Sequence, residues 1–561
     1  MSSLSGFNWL AVNASSNLTW TPCYDTFQCA RLSVPLYYAN VSAGEAAVAL
    51  IKSPSNFSAG DAEYLGPILF NPGGPGGSGV ELILEGAPYF REIIGAQYDL
   101  VGFDPRGVGA TTPPLSIFTD PPEALEWYAT WPLNVNESVS SFGRAFAQAD
   151  ILGALAADRA PAEAQAVSTP TVATDMLSIA RAFGFEKVNY WGISYGSVLG
   201  STFAAMFPDN VGRFIIDGVV NAHEWYAGID TASLLDADAA LTSIWAACVA
   251  AGPANCPLFE NTTAQVSARV SALVDAVHLA PVPVYNDTDP AAITFGVVDY
   301  TLLVDQLYNL AYFPYSHGPL AAAGLALLEG GNGSVIYAGS DAQAISSLAT
   351  CDFNASTPFV TGSLDVTLAI SCGDQLREGK ASMELARANY GLLVNQSAFF
   401  APDLWATLQG GCTGWTLRGQ DKLNGSFVTN TSNPMLLIGN TLDPVTPLVS
   451  AQNMSSGFAG SVLLQQNSTG HSSWSGFSTC TALAVNAYFA NGTLPARGTV
   501  CQPDFAPFVP EPGATSLERR EDDAFYKAVR AIATTDFVAR NSRFARRRGV
   551  RALWSGNDRW R

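Results

Sequence analysis

A serine flanked at one-residue spacing by glycines stands at Gly192-Ile193-Ser194-Tyr195-Gly196. An apolar segment, 188–191, precedes it, and a segment rich in small residues, 197–207, follows and stops at Pro208. A strand that enters a helix through such a turn holds the serine in a strained conformation with its hydroxyl exposed. The glycines let strand and helix approach. The pattern alone is weak, since chance gives roughly 0.4 matches in a chain with this much Gly and Ser. The strand and helix around it make Ser194 a candidate nucleophile for acyl transfer rather than a turn residue.

A serine hydroxyl is a poor nucleophile until a base takes its proton. The chain holds four histidines. His278 falls in an amphipathic helical stretch, His317 in a Pro/Gly loop, and His223 follows a strand but precedes the helical insertion. His471 alone follows the last predicted strand, which suits the order serine, acid, histidine. The acid then lies between them, past a strand end. Segment 435–438 leads into Gly439-Asn440-Thr441-Leu442-Asp443-Pro444. The Asp443 carboxylate would orient the imidazole and stabilise its charged form; the competing role is an Asx turn before Pro444.

The oxyanion that forms on attack needs backbone N–H donors. Strand 67–70 ends in Asn71-Pro72-Gly73-Gly74-Pro75-Gly76-Gly77-Ser78-Gly79. No Lys-Ser/Thr follows, so it is not a phosphate loop. The expected donors are the N–H of Gly74, or of Gly73 one residue earlier, and that of Tyr195. Asp104 and Arg106 follow the next strand, 98–103, and are expected to brace the oxyanion loop as a structural pair.

The elements that must position these residues are short apolar strands alternating with helical stretches, which predicts a mostly parallel α/β sheet. The strands fall at 46–52, 67–70, 98–103, 188–191, 214–216, 435–438 and 462–465. Ligands bind at the carboxyl ends of such strands. Between 217 and 434 the pattern turns helical, at 231–251, 262–279, 298–312, 318–329, 341–351 and 383–393. The expected organisation is an N-terminal half of the core over 1–218, a helical cap over 219–404 and a C-terminal half over 405–512. A basic tail, 513–561, is expected to be disordered or a mispredicted end of the gene. Its last 45 residues hold 12 Lys+Arg against 6 Asp+Glu.

The whole chain has 28 Lys+Arg and 48 Asp+Glu, a net charge of −20. Phosphate backbones and anionic lipid repel such a chain, so nucleic acid and membrane surfaces are excluded as general partners. No apolar run is long enough to span a bilayer. Nine cysteines are present. Cys23/Cys29, Cys248/Cys256 and Cys480/Cys501 are close enough for local disulfides, and Cys372/Cys412 is a plausible fourth pair, leaving Cys351. None of the spacings resembles a zinc site, and no metal or organic cofactor is expected. Fifteen of 29 asparagines lie in Asn-x-Ser/Thr triplets, where chance gives roughly four. N-linked glycans and a secreted eukaryotic protein are the expectation. Residues 1–20 do not read as a signal peptide.

Together, residues 72–79, 104–109, 192–196, Asp443 and His471 resemble the prolyl/tripeptidyl aminopeptidase-like branch of the α/β-hydrolases, with a tripeptidyl aminopeptidase-like C-terminal domain. The opening Gln28-Cys29-Ala30-Arg31-Leu32-Ser33-Val34-Pro35-Leu36 is similar to secreted, notably fungal, members. The resemblance spans about 23–501. It implies an α/β-hydrolase fold, a mostly parallel central sheet with a helical cap between the nucleophile half and the Asp/His half. It also implies release of amino acids or short peptides from free peptide N-termini. Such chemistry needs a carboxylate for the substrate ammonium, and Glu224 and Asp374 are the candidates. A carboxylesterase with the same triad, acting on a small ester, is the alternative. A non-catalytic binding protein on this fold is a remote third reading, since such proteins lose the nucleophile or base.

Overall fold

The computed structural model describes residues 7–286, 294–339, 364–476, 478–509 and 524–534. Its centre is a ten-stranded sheet. In chain order the first strands are β1 (Thr21–Cys23), β2 (Phe27–Tyr37), β3 (Asn40–Ser53), β4 (Pro67–Asn71) and β5 (Asp99–Phe103). β6 (Val188–Ile193) and β7 (Val211–Asp217) follow. After a hairpin of β8 (Val282–Asn286) and β9 (Thr294–Val298) and the short β10 (Thr429–Asn430) come β11 (Leu436–Leu442), the short β12 (Phe458–Ala459), β13 (Val462–Thr469) and β14 (Val500–Cys501).

The sheet order is β1-β2-β3-β5-β4-β6-β7-β11-β13-β14. The first three strands pair antiparallel, as do β3 and β5, and every pair from β5 onward is parallel. All five residues of β4 and all five of β5 are buried. That is the expected signature of parallel strands covered by helices on both faces. β2 escaped the sequence reading because Arg31 interrupts its apolar run. In the structure Arg31 is buried, and its guanidinium reaches the Val12 carbonyl at 3.4 Å and the Thr112 hydroxyl.

β4 sits between β5 and β6, so the winding direction reverses there. A crevice at such a switch point is where these sheets bind ligands. The register does the positioning. Asn71 lies opposite Gly192, and Ile193 opposite Asp217, which itself pairs with Ile438. The loops after β4, β6, β7 and β11 therefore leave the sheet side by side.

Between β7 and β11 the chain forms the cap. It has its own core, built from residues such as Trp245, Val270, Leu303 and Leu325. The cap is not wholly helical, as the sequence implied. β8 and β9 form an antiparallel hairpin within it. Its apolar alternation was hidden between two long helical stretches. The expected helix 341–351 and Cys351 lie outside the described residues.

The basic tail holds a second departure. The helix Ala524–Thr534 buries Val529, Ile532 and Ala533 in the same cluster as Phe90, Ile94 and Trp474, and Ala528 is buried as well. An apolar stripe at helical spacing was masked by the charge count of the segment. The rest of the tail lies outside the described residues. Four disulfides, Cys23–Cys29, Cys248–Cys256, Cys372–Cys412 and Cys480–Cys501, join the expected pairs. Among the described residues no helix is long and apolar enough to cross a membrane.

Candidate active site

Ser194 sits at the sharp turn from β6 into the helix Tyr195–Met206, with φ 58° and ψ −123°. Non-glycine residues avoid this region, so the turn stores strain that the surrounding packing must hold. The Ser194 N–H donates to the Asp217 carbonyl at 2.9 Å. A Cβ on Gly196 would lie 2.8 Å from the Asn71 carbonyl oxygen, so only glycine lets the helix start this close to β4.

The oxyanion loop approaches from β4. Gly73 has φ 94°, and a Cβ there would meet the Ile193 carbonyl oxygen at 2.4 Å and Ser194 Cβ at 2.8 Å. The Asn71 side chain accepts the Gly73 N–H at 3.0 Å and fixes the bend. Neither the Gly74 nor the Tyr195 N–H donates to a protein acceptor among the described residues. Both residues line one pocket with Ser194. Two unengaged donors beside a serine hydroxyl are what a developing oxyanion requires.

His471 is fully buried on the loop after β13. Its N–H donates to the Tyr312 carbonyl at 2.9 Å, and the Tyr312 ring lies 4.9 Å from the imidazole. The loop is pinned on both sides. Asn440 Nδ2 donates to the carbonyls of Gly470 at 2.8 Å and Ser472 at 2.6 Å. The Asp217 carboxylate accepts the Ser473 N–H at 2.8 Å and the Ser473 hydroxyl at 2.5 Å. Trp474 anchors the loop among Phe90 and Trp191.

Imidazole Nδ1 lies 3.1 and 3.0 Å from the two Asp443 carboxylate oxygens. The carboxylate also accepts N–H groups from Val445, Thr446 and Ser472 and the Thr446 hydroxyl, at 2.7–3.0 Å. Burial pushes the Asp443 carboxyl up, but the His471 charge and these hydrogen bonds outweigh it and hold it below its ordinary value. An ionised Asp443 assigns the Nδ1 proton to the Asp443 side of the ring and leaves a lone pair on Nε2. His471 Nε2 is buried and has no hydrogen-bond partner among the described residues. Such bonds often tighten only when substrate is bound.

Asp104 and Arg106 do not pair. Asp104 accepts from the Ser78 hydroxyl at 2.5 Å, the Val80 N–H at 3.2 Å and the Ala110 N–H at 2.9 Å, and so ties the end of the oxyanion loop to β5. Burial raises its pKa to about 6 despite these bonds. Arg106 instead grips Asp175 with two hydrogen bonds of 2.7 and 2.8 Å. Its fork reaches away from the loop, toward the carbonyls of Pro35 and Leu36.

The two expected ammonium carboxylates part company. Glu224 lines the pocket, and its carboxylate accepts the Thr231 N–H at 2.9 Å and the Thr231 hydroxyl. Asp374 is buried behind the wall. It accepts from the Thr169 N–H at 2.9 Å, the Thr169 hydroxyl at 2.5 Å and Trp225 Nε1 at 2.9 Å. Thr169 in turn bonds the Tyr195 hydroxyl at 2.6 Å, so Asp374 supports the wall and does not line it. Asp230 lines the pocket and was missed. It follows a helix of six residues and accepts the Ser233 N–H at 2.9 Å. In sequence that reads only as a turn aspartate. Burial, with the neighbouring Glu224 charge adding to it, raises its pKa to about 6.

Among the described residues no Lys or Arg lines the pocket; Val220, Ile229, Leu404, Leu408 and Val445 supply its apolar wall. Among the described residues no cluster of His, Cys, Asp and Glu could hold a metal ion. A part-exposed serine, a buried imidazole–carboxylate pair and the oxyanion donors are the groups that acyl transfer requires.

Comparison with known proteins agrees with this chemistry. A family model described as alpha/beta hydrolase fold matches residues 66–239, and one described as TAP-like protein matches 397–501. The chain is 26% identical over 513 residues to a tripeptidyl aminopeptidase of Streptomyces lividans, covering 88% of each chain. It is also 26% identical over 513 residues to serine protease Hip1 of Mycobacterium tuberculosis, covering 86% of this chain and 90% of that one. Carboxylesterase B of the same species is 28% identical over 491 residues, covering 85% and 87%. These relatives are bacterial; the fungal character expected from the opening segment has no counterpart among them.

Proposed function

We propose that this serine hydrolase of α/β-hydrolase fold is an exopeptidase that cuts amino acids or short peptides from free peptide N-termini. The observation that carries the reading is the charge of the pocket. Glu224 and Asp230 line it beside Ser194, and among the described residues no basic side chain does. A free N-terminal ammonium fits such a wall, whereas an acylated terminus leaves the carboxylates without a counter-charge.

In the proposed mechanism Ser194 Oγ attacks the scissile carbonyl while His471 Nε2 takes its proton. Asp443 orients the ring and stabilises the imidazolium. The N–H groups of Gly74 and Tyr195 receive the oxyanion. The imidazolium then protonates the leaving amine, and water, activated by the same base, releases the acyl group. The names of the tripeptidyl aminopeptidase and serine protease relatives support the peptidase side of this reading.

The competing reading is a carboxylesterase. The apolar wall suits an acyl chain, and one relative carries that name. Comparing kcat/KM on a free-amino peptide amide, its N-acetylated twin and a short acyl ester separates the two. A preference for the free amine of 10-fold or more, about 1.4 kcal/mol, is the expected result. Indifference to acetylation with the ester fastest replaces the peptidase by the esterase. The four disulfides support an oxidising compartment as the site of action, in keeping with secretion.

A further inference from the structure

The asparagines fall into two populations. Thirteen of the fifteen in Asn-x-Ser/Thr triplets have described side chains, and all thirteen are exposed: 13, 17, 40, 56, 136, 261, 332, 395, 424, 430, 453, 467 and 491. Of the twelve described asparagines outside such triplets, only Asn8 is exposed. The same division appears in what the side chains do. Outside the triplets the amide nitrogens of Asn189, Asn210, Asn255, Asn309, Asn433, Asn440 and Asn486 all donate to protein oxygens. Inside the triplets only two amide nitrogens have a partner among the described residues. Asn467 donates to Gln502 at 2.8 Å and Asn136 to Tyr300 at 3.4 Å.

Exposure alone is the common state of a polar residue. The coincidence of three properties is not explained by it. Eleven asparagines are exposed, keep their amide nitrogen unengaged, and carry a hydroxyl two residues on. At Asn40, Asn332 and Asn491 that hydroxyl donates to the asparagine Oδ1, at 2.8, 2.5 and 2.5 Å. The acceptor amide and the hydroxyl that defines the triplet therefore already face each other. None of these eleven asparagines lines the pocket around Ser194, so glycans on these positions would leave substrate access open.

We propose that Asn13, Asn17, Asn40, Asn56, Asn261, Asn332, Asn395, Asn424, Asn430, Asn453 and Asn491 are N-glycosylation sites. In the transfer, Nδ2 forms a bond to the anomeric carbon of an oligosaccharide carried on a lipid pyrophosphate. The bond from that carbon to the pyrophosphate oxygen breaks, the lipid pyrophosphate leaves, and the amide loses one proton. The modified surface is bulky and solubilising. The donor belongs to the lumen of a secretory pathway, so the proposal also fixes the route this chain takes, whatever its substrate is.

The test is a peptide map of the full chain isolated from its own cells or their medium, treated with peptide N-glycosidase in heavy-oxygen water. The enzyme converts each glycan-bearing asparagine to labelled aspartate. Labelled aspartate at more than half of the eleven positions, with a matching drop in intact mass, is the expected result. Label at half or fewer overturns the proposal. A Thr493→Ala variant checks one site alone. It should lose the label at Asn491 with kcat/KM unchanged, and retention of the label would contradict the assignment of that site.

Discussion

Asp217 holds Ser194 through its backbone, accepting the nucleophile's N–H at 2.9 Å, while its carboxylate holds Ser473, two residues beyond the base, at 2.8 and 2.5 Å. One residue at the end of β7 thus ties the nucleophile's turn to the histidine's loop. It is a positioning residue, since nothing places it against the reacting atoms. Burial raises its pKa to about 6 against the Ser473 hydrogen bonds.

Asp217→Ala should lower kcat by about 10- to 100-fold with little change in KM, because the base is misplaced and the pocket is intact. Asp217→Asn keeps one acceptor for the Ser473 N–H and should recover most of that loss. Steady-state kinetics of both variants checks this. Equal kcat for Ala, Asn and the unaltered chain would remove Asp217 from the account.

Gly73→Ala should abolish most turnover while leaving the fold. Its Cβ would come within 2.4 Å of the Ile193 carbonyl oxygen, and φ is 94°. The loop must move away from Ser194, taking the Gly74 N–H with it. Loss of an oxyanion donor costs on the order of 10²-fold or more in kcat. Near-UV circular dichroism should stay unchanged, and undiminished kcat would mean that the oxyanion donors lie elsewhere.

Asp365 sets an expected pH dependence of stability. It is buried, accepts the Ile117 N–H at 3.4 Å, and its Oδ1 has no partner among the described residues. Burial raises its pKa to about 7. A raised folded pKa means that its stabilising contribution is complete below about pH 4, the unfolded value, and is lost as pH rises through about 7. Asp365→Asn removes that loss. Its Tm should exceed that of the unaltered chain at about pH 8, with the gap shrinking toward pH 5. A pH-independent gap would show that the Asp365 charge is not the cause.

Ending the chain after Thr534 should leave Tm unchanged, whereas ending it before Ala524 should lower it by several degrees. The second cut uncovers the apolar surface that Val529, Ile532 and Ala533 bury, at about 1 kcal/mol or more for each large side chain. Thermal unfolding of the two truncations checks this. Equal Tm values would return the helix to the status of a loose tail.

Much of this was legible in the sequence because the chemistry sits where strands end. Ser194, Asp443 and His471 each follow an apolar strand, and strand order needs no side-chain detail. The partners of buried polar groups were less legible. Asp104 and Arg106 are neighbours in sequence, but the strand end sends their side chains to different loops, one to Ser78 and the other to Asp175. Asp374 looked available next to Cys372, and only the fold places it behind Tyr195. Asp230 was hidden because a turn aspartate and a pocket aspartate look alike until the cap folds over the sheet. The helix Ala524–Thr534 was hidden by its neighbours' charge.

Ser194→Ala and His471→Ala should each lower turnover by on the order of 10³-fold or more. The central claim, however, is that this machinery acts beside a carboxylate wall built for an ammonium. The most direct measurement is the ratio of kcat/KM for a free-amino peptide amide over its N-acetylated twin, in the unaltered chain and in Glu224→Gln/Asp230→Asn. The expected result is a ratio well above one that falls about 10- to 100-fold in the variant, on the order of 1.4–2.8 kcal/mol, with ester turnover retained. A ratio that the variant leaves unchanged would contradict it.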